Sequence, residues 1–387
     1  MSQAKSSSFS SMQTRVAQAL GEIDQASGSL IAPIHVSTTY LRDADNQYRS
    51  GRIYSRADNP SYLPAERVIA SLENAIDAKL FASGNAAATT VFQALKPGDR
   101  MLAPKVMYWA LRNWLKTFGA DMGLQVRWVD MDDLAQVRSA LAEAPTRLVW
   151  IETPGNPLWT VTDIAKVSDL AHQHGALVAV DSTVATPVLS RPLELGADIV
   201  MHSATKYLNG HSDVIAGALA SRENSEFWQR IVRLRAQSGN VLGPFEASQL
   251  LRGMRTLVLR VKQSCEAAQW IAEQLEQLPS VAAVLYPGLP SFAGHEIAKQ
   301  QMQGGFGGML SVRISAGEAA AIGTAARTQI WKRATSLGGV ESLIEHRASI
   351  EGEGTPVPAD LLRLSVGIED PQELFEDLRQ AIEAASA

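Results

Sequence analysis

Between about residue 60 and residue 245 the chain alternates short apolar runs with longer stretches whose apolar residues recur at helical spacing. RMLAP precedes WALRNWLKTFG, QVRWVD precedes DDLAQVRSALAEA, RLVWIE precedes DIAKVSDLAHQHG, and ALVAVD precedes ADIVMHS. That rhythm predicts parallel strands joined by crossover helices, and so an α/β fold whose mostly parallel sheet is covered on both faces. Ligands of such sheets collect beyond the carboxyl ends of the strands, so the residues that close each run matter most. They are Asn156, Asp181, Ser203, Thr205 and Lys206.

After GNVLGPFEASQLL the pattern changes. A long helical stretch, RTLVLRVKQSCEAAQWIAEQLEQL, leads into strand-like VAAVLYPG and GGMLSVRI, a helix at GEAAAIGTAA, a strand in LLRLSVGIE and a terminal helix at PQELFEDLRQAIEAA. This is a smaller α/β unit. The first 55 or so residues, with LIAPIHVSTTYLRD and YRSGRIYSRADNP, carry few helical signals and read as an extended arm of the kind that packs on a partner. The expected organisation is an arm over 1–55, a large domain over 56–245 and a small domain over 246–387.

Length agrees with that division, because 387 residues and 41.7 kDa exceed one ordinary core. A formal charge of −5, from 35 basic and 40 acidic residues without a basic run, gives no electrostatic footprint for nucleic acid or an anionic membrane. Small molecules are the expected partners. The single cysteine, Cys265, has no partner for an internal disulfide and sits in helical VKQSCEAAQW as a buried small hydrophobe, which fits a reducing compartment. The amino terminus is serine-rich, reads as a frayed end, and lacks the apolar core of a signal peptide. No run reaches the roughly 18 apolar residues of a spanning helix, so the expected location is the cytoplasm.

Chemistry concentrates in VMHSATKYLNG, where Lys206 follows an apolar strand and the hydroxyls of Ser203 and Thr205. Alone, a strand-end lysine is ordinarily solvated. Asp181, closing ALVAVD, is alone a plausible helix cap, and Ser83 before Gly84 in KLFASGNAAATTVFQAL reads equally as a cap or as the start of a phosphate-binding helix terminus. Together they change the reading. If the strands of Asp181 and Lys206 pair, as consecutive strands commonly do, a lysine, a carboxylate and a phosphate cradle converge. That is the set pyridoxal 5′-phosphate requires: an amine for a Schiff base with the aldehyde, a carboxylate to keep the ring nitrogen protonated, and donors for the phosphate.

YSRADNP, SGNAAA, ETPGNPLWTVTDI, VDSTVATP, HSATKYLNGHSDVIAG, SLGGVESLIEH and LLRLSVGIED resemble, in order and spacing, the pyridoxal-phosphate enzymes of cysteine and methionine metabolism: the cystathionine γ-synthase, γ-lyase and β-lyase family. The resemblance covers about residues 15–385 and implies fold type I, the aspartate-aminotransferase-like architecture. It assigns Lys206 to the cofactor aldehyde, Asp181 to the ring nitrogen, Asn156 to the ring oxygen and Tyr108 to stacking on the ring. Ser203, Thr205 and the amides of Gly84 and Asn85 fall to the phosphate, together with Tyr54 and Arg56 from a neighbouring subunit. Arg363 falls to the substrate α-carboxylate, with Ser336 beside it. Lys206 is also the implied proton carrier, assisted by Tyr54 or Tyr108. Family members are commonly tetramers, two dimers with shared sites.

Departures from the family pattern bear on the substrate. Asn85 stands where methionine is frequent, Trp109 where glycine or another small residue is usual, and Thr335 where many γ-synthases carry glutamate. HRASIEGEG replaces the familiar HPASMTH, and its Arg347 and Glu351 either alter the entrance or, the favoured reading, form a solvated charge pair. The γ-type SLGGVESL points to γ-elimination or γ-replacement, with cystathionine, an O-acylated homoserine or canavanine as candidates. The alternatives are β-elimination and, more remotely, an aminotransferase or a non-catalytic DNA-binding regulator; the last lacks any helix-turn-helix signal here. His172 and His174 in HQHG have no third ligand at helical spacing, so no metal site is expected. GGFGGML lacks the following helix of a dinucleotide fingerprint. Of Trp109, Trp114, Trp128, Trp150 and Trp159, only Trp109 is expected near substrate.

Overall fold

The computed structural model describes residues 11–352 and 355–387; the serine cluster lies largely outside them. Seven strands form the larger sheet: β1 Asp77–Phe81, β2 Arg100–Pro104, β3 Gln125–Val129, β4 Leu148–Glu152, β5 Leu177–Asp181, β6 Ile199–His202 and β7 Gly217–Ser221. Their order is β1-β7-β6-β5-β4-β2-β3, and only β7 runs against its neighbours. Along β4 and β5 successive side chains enter two different apolar layers. Val149, Ile151, Val178 and Val180 join one; Leu148, Trp150 and Ala179 join the other. Burial on both faces is the reason these strands read as unbroken apolar runs.

Five further strands form the smaller sheet: β8 Val281–Leu285, β9 Met309–Ile314, β10 Lys332–Arg333, β11 Leu343–His346 and β12 Leu361–Ser365, in the order β10-β11-β12-β9-β8. Helices Leu257–Leu275, Glu318–Arg327 and Pro371–Ser386 share one apolar cluster with it. Cys265 is buried on the first of these helices, and burial pushes its thiol up to about 12, so it behaves as an inert small hydrophobe.

Two local features differ from expectation. The described part of the amino-terminal segment carries a helix, Met12–Ala17, capped by Ser11 and buried through Val16, so this helix docks on its own chain. From residue 22 to residue 62 there is no helix or strand, only a bridge between Thr39 and Tyr54, and Leu30, Val36, Leu41 and Ile53 are exposed. The stretch WALRNWLKTFG widens from an α-helix over Trp109–Trp114 into a π-turn over Leu115–Gly119.

One buried serine ties the two sheets together. Ser311 on β9 accepts from Trp159 Nε1 at 2.9 Å and donates to the Pro157 carbonyl at 2.8 Å, both in the connection that follows β4. Trp159 is fully buried. Ser311→Ala leaves a buried N–H and a buried carbonyl unpaired and is expected to destabilise the fold by about 1–3 kcal/mol. Urea unfolding followed by tryptophan fluorescence measures it, and an unchanged midpoint would show that the link carries no stability.

Candidate active site

β4, β5 and β6 run parallel and end at one edge of the sheet, which brings three ionisable side chains to the same cavity. Glu152 and Asp181 are register partners at the ends of β4 and β5, and Lys206 lies just beyond β6. The cavity, about 560 Å³, also receives Gly84, Asn85, Tyr108, Trp109, Asn156, Ser203, Thr205, Thr335, Ser336 and Arg363. Two residues singled out by sequence are elsewhere. Tyr54 and Arg56 are exposed on the arm, stacked on each other at 5.4 Å, and do not line the cavity of the single chain.

Burial lowers the Lys206 amine to about 8, helped by the positive charge of Arg363. The amine donates to Ser336 Oγ at 2.7 Å. Ser336 itself holds a left-handed backbone, φ 88°, unusual for a residue with a side chain. Burial raises the Asp181 carboxyl, while Thr183 opposes it with two donors, Oγ1 at 2.5 Å and the backbone amide at 3.0 Å. The same Thr183 oxygen accepts from the Ser203 amide at 2.8 Å, so the aspartate and the hydroxyl cluster share a brace. Asp181 caps no helix: Thr186–Leu189 has no side-chain cap.

The helix Gly84–Gln93 points its amino end into the cavity, with Ser83 as its N-cap through the Ala86 amide. Its first amides, Gly84 and Asn85, have no acceptor within the helix and suit an anion. Gly84 is required by close approach, since a Cβ there would lie 2.6 Å from Ser203 Oγ. Thr205 lines the same end, and its hydroxyl bonds both ways to the Ala216 backbone.

Arg363 is buried on β12, and its guanidinium is lowered to about 10 by that burial, with Glu345 opposing. It donates to the Ser336 carbonyl at 2.8 Å and to Asn156 Oδ1 at 3.3 Å, and pairs with Glu345 Oε2 at 2.7 Å. The reading of Arg347 and Glu351 as a solvated pair is corrected here. Both side chains are 3% exposed and pair at 3.0 Å, and Arg347 reaches Glu345 at 2.8 Å. The cause is the short helix Arg347–Glu351 that directly follows β11: its i,i+4 spacing puts both side chains on one face, where Arg347 bridges Glu351 and the β11 residue Glu345.

Glu152, Thr183 and Glu345 were not singled out by sequence. Glu152 closes RLVWIE and Thr183 stands two residues after Asp181, so strand-end position marked the first and an aspartate-turn spacing the second. Nothing local marks Glu345. Burial and the nearby Asp181 raise Glu152 to about 8, although it accepts from the Tyr108 amide at 2.8 Å and the Asn156 amide at 3.0 Å.

The profile of the Cys/Met metabolism PLP-dependent enzymes matches residues 13–383. The chain belongs to this family. It is 44% identical over 365 residues to cystathionine γ-synthase of Mycobacterium leprae, covering 93% of each chain. It is 38% identical to cystathionine β-lyase of Coxiella burnetii, covering 96% of this chain and 98% of the relative. The crystal structure of cystathionine γ-synthase from Xanthomonas oryzae pv. oryzae, in complex with aminoacrylate and cysteine, superimposes with a TM-score of 0.93 at 35% identity, covering 97% and 99%. The fold is therefore fold type I, and the cofactor is pyridoxal 5′-phosphate. The cavity fits it: an amine held near neutrality, a buried carboxylate braced by Thr183, and a helix terminus kept open by a glycine.

The amine reacts as the neutral base, so its reactivity rises as pH passes the lowered value. In cofactor-free protein, Lys206 is expected to react with trinitrobenzenesulfonate half-maximally near pH 8 rather than near the ordinary 10.5. Peptide mapping across a pH series measures this. A midpoint above 10 would mean that the amine is solvated.

Proposed function

We propose that this family member catalyses γ-elimination or γ-replacement on a γ-substituted L-amino acid. The carrying observation is the Lys206 amine, lowered to about 8 in a cavity that also holds the buried Arg363 guanidinium. The γ-synthase relative at 44% identity and the SLGGVESL stretch support γ chemistry. The β-lyase relative at 38% supports β-elimination as the second reading.

In this reading Lys206 would hold the cofactor aldehyde, and its amine, when free, would take the substrate's α-proton. An amine near 8 does so at neutral pH far better than one at the ordinary 10.5. Pyridoxal 5′-phosphate supplies the electron sink that stabilises negative charge at the α-carbon. Asp181 would hold the ring nitrogen, Asn156 the ring oxygen, and Tyr108 would stack on the ring face. Ser203, Thr205, Gly84 and Asn85 take the phosphate. Arg363 holds the α-carboxylate through its guanidinium, with Ser336 adjoining, while Trp109 and Thr335 wall the side-chain end. For a γ-leaving group Lys206 also shuttles the β-proton, with Tyr108 or Tyr54 assisting.

Tyr54 and Arg56 reach the phosphate from a neighbouring copy of the chain, in a tetramer built from two such dimers. Their exposure on an arm carrying uncovered Leu30, Val36 and Leu41 supports this. Cystathionine, an O-acylated homoserine and canavanine, whose oxygen-linked guanidine leaves readily, are the candidate substrates.

Incubating the loaded enzyme with each candidate and quantifying keto acid, homoserine and released nucleophile tests the reaction. Turnover of at least one γ-substituted amino acid is expected. Turnover confined to β-substituted amino acids would overturn the γ reading, and accumulation of the pyridoxamine form would indicate transamination. Shared sites make a separate prediction. Arg56→Ala and Lys206→Ala homo-oligomers are each expected to be strongly impaired, Lys206→Ala by about a thousandfold or more. Dissociating and mixing them restores activity, because one site of each mixed dimer regains both residues. No recovery in verified mixed dimers would contradict the crossing.

A further inference from the structure

Glu152 has no role in the reaction as described, yet it lines the cavity and accepts from two backbone amides there. It ends β4, which lies between β5, carrying Asp181, and β2, which leads toward Tyr108. The residue is 7% exposed. Oε2 accepts from the Tyr108 amide at 2.8 Å and Oε1 from the Asn156 amide at 3.0 Å. The two donors belong to different connections, one after β2 and one after β4. An acidic group is costly here, since burial and the register-paired Asp181 both disfavour its ionised form. A glutamine reproduces only half of the arrangement, because its amide nitrogen is a donor and would face one of the two N–H groups.

We propose that Glu152 is a positioning residue, a single carboxyl group that ties the Tyr108 and Asn156 backbones together and so sets the spacing of the two side chains facing the cofactor ring. The proposal rests on the reading of Tyr108 and Asn156 as ring-facing. Both oxygens are used in different directions, so each connection is fixed relative to the same strand end. Tyr108 immediately precedes the helix Trp109–Trp114, and the bond therefore also sets where that helix, with Trp109 at its start, enters the cavity. Removing the tie frees the two connections separately while leaving the apolar layers beneath untouched.

The test uses the full-length oligomer with Glu152→Gln, Glu152→Asp, Tyr108→Ala and Asn156→Ala. The cofactor dissociation constant is measured by titrating the cofactor-free protein, and the induced visible circular dichroism of bound pyridoxal 5′-phosphate reports ring orientation. Glu152→Gln is expected to weaken cofactor binding by about tenfold, the loss of roughly one such bond, and to reduce the induced signal. The kcat should fall more than KM changes, and Tyr108→Ala should add little in the Glu152→Gln background. Glu152→Asp, a methylene too short to span both amides, should move both readouts in the same direction and serves if Glu152→Gln fails to fold. A foldable Glu152 variant that retains native cofactor affinity and native induced signal, even with a lowered thermal midpoint, overturns the proposal and leaves a purely structural role. If Tyr108→Ala and Asn156→Ala themselves leave both readouts unchanged, it is the ring-facing reading that fails.

Discussion

Burying an amine disfavours its protonated form, and burying a carboxylate disfavours its ionised form. Parallel strands that end together impose both costs at once. Lys206 is lowered to about 8 and Glu152 raised to about 8, and burial also raises Asp181, against the two Thr183 donors. For Lys206 the consequence is an amine that gives up and takes a proton near neutrality with little penalty, which the proposed abstraction of the α-proton requires. The apolar layers on both faces of β4, β5 and β6 are thus part of the chemistry, because they supply the desolvation.

The second fixed point is Arg363. It stands on the smaller sheet but bonds Asn156 in the connection that follows β4 of the larger one, while Ser336 and Glu345 hold it from its own side. Its distance from Lys206 is consequently set by how the two sheets pack, with Ser336 touching both residues. The Arg347, Glu345 and Glu351 cluster adds charge to that wall without exposing it to water. In such a buried set each member compensates another, and losing one leaves an unpaired charge.

The strands that carry the site were legible because burial on both faces makes them continuous apolar runs, and Asp181 and Lys206 converge because β5 and β6 pair, as consecutive strands commonly do. Glu152 escaped notice because a strand-end glutamate is ordinarily solvated; only the closeness of the Tyr108 and Asn156 amides gives it a use. Arg347 and Glu351 misled for the opposite reason. An exposed helix and an inward-facing one carry the same i,i+4 pair, and the difference lies in β11, which turns that helix toward Glu345. Tyr54 and Arg56 came from family likeness alone, and a single chain holds them away from the cavity. The helix Met12–Ala17 was missed because six residues are too few for a clear period.

The central claim is that Lys206, and no other amine in the chain, bears the cofactor. Borohydride reduction of the loaded enzyme, followed by proteolysis and mass mapping, tests it most directly. The account predicts a reduced phosphopyridoxyl adduct on the peptide containing Lys206, at one per chain. An adduct on another lysine, or retention of the cofactor with no adduct, would contradict it.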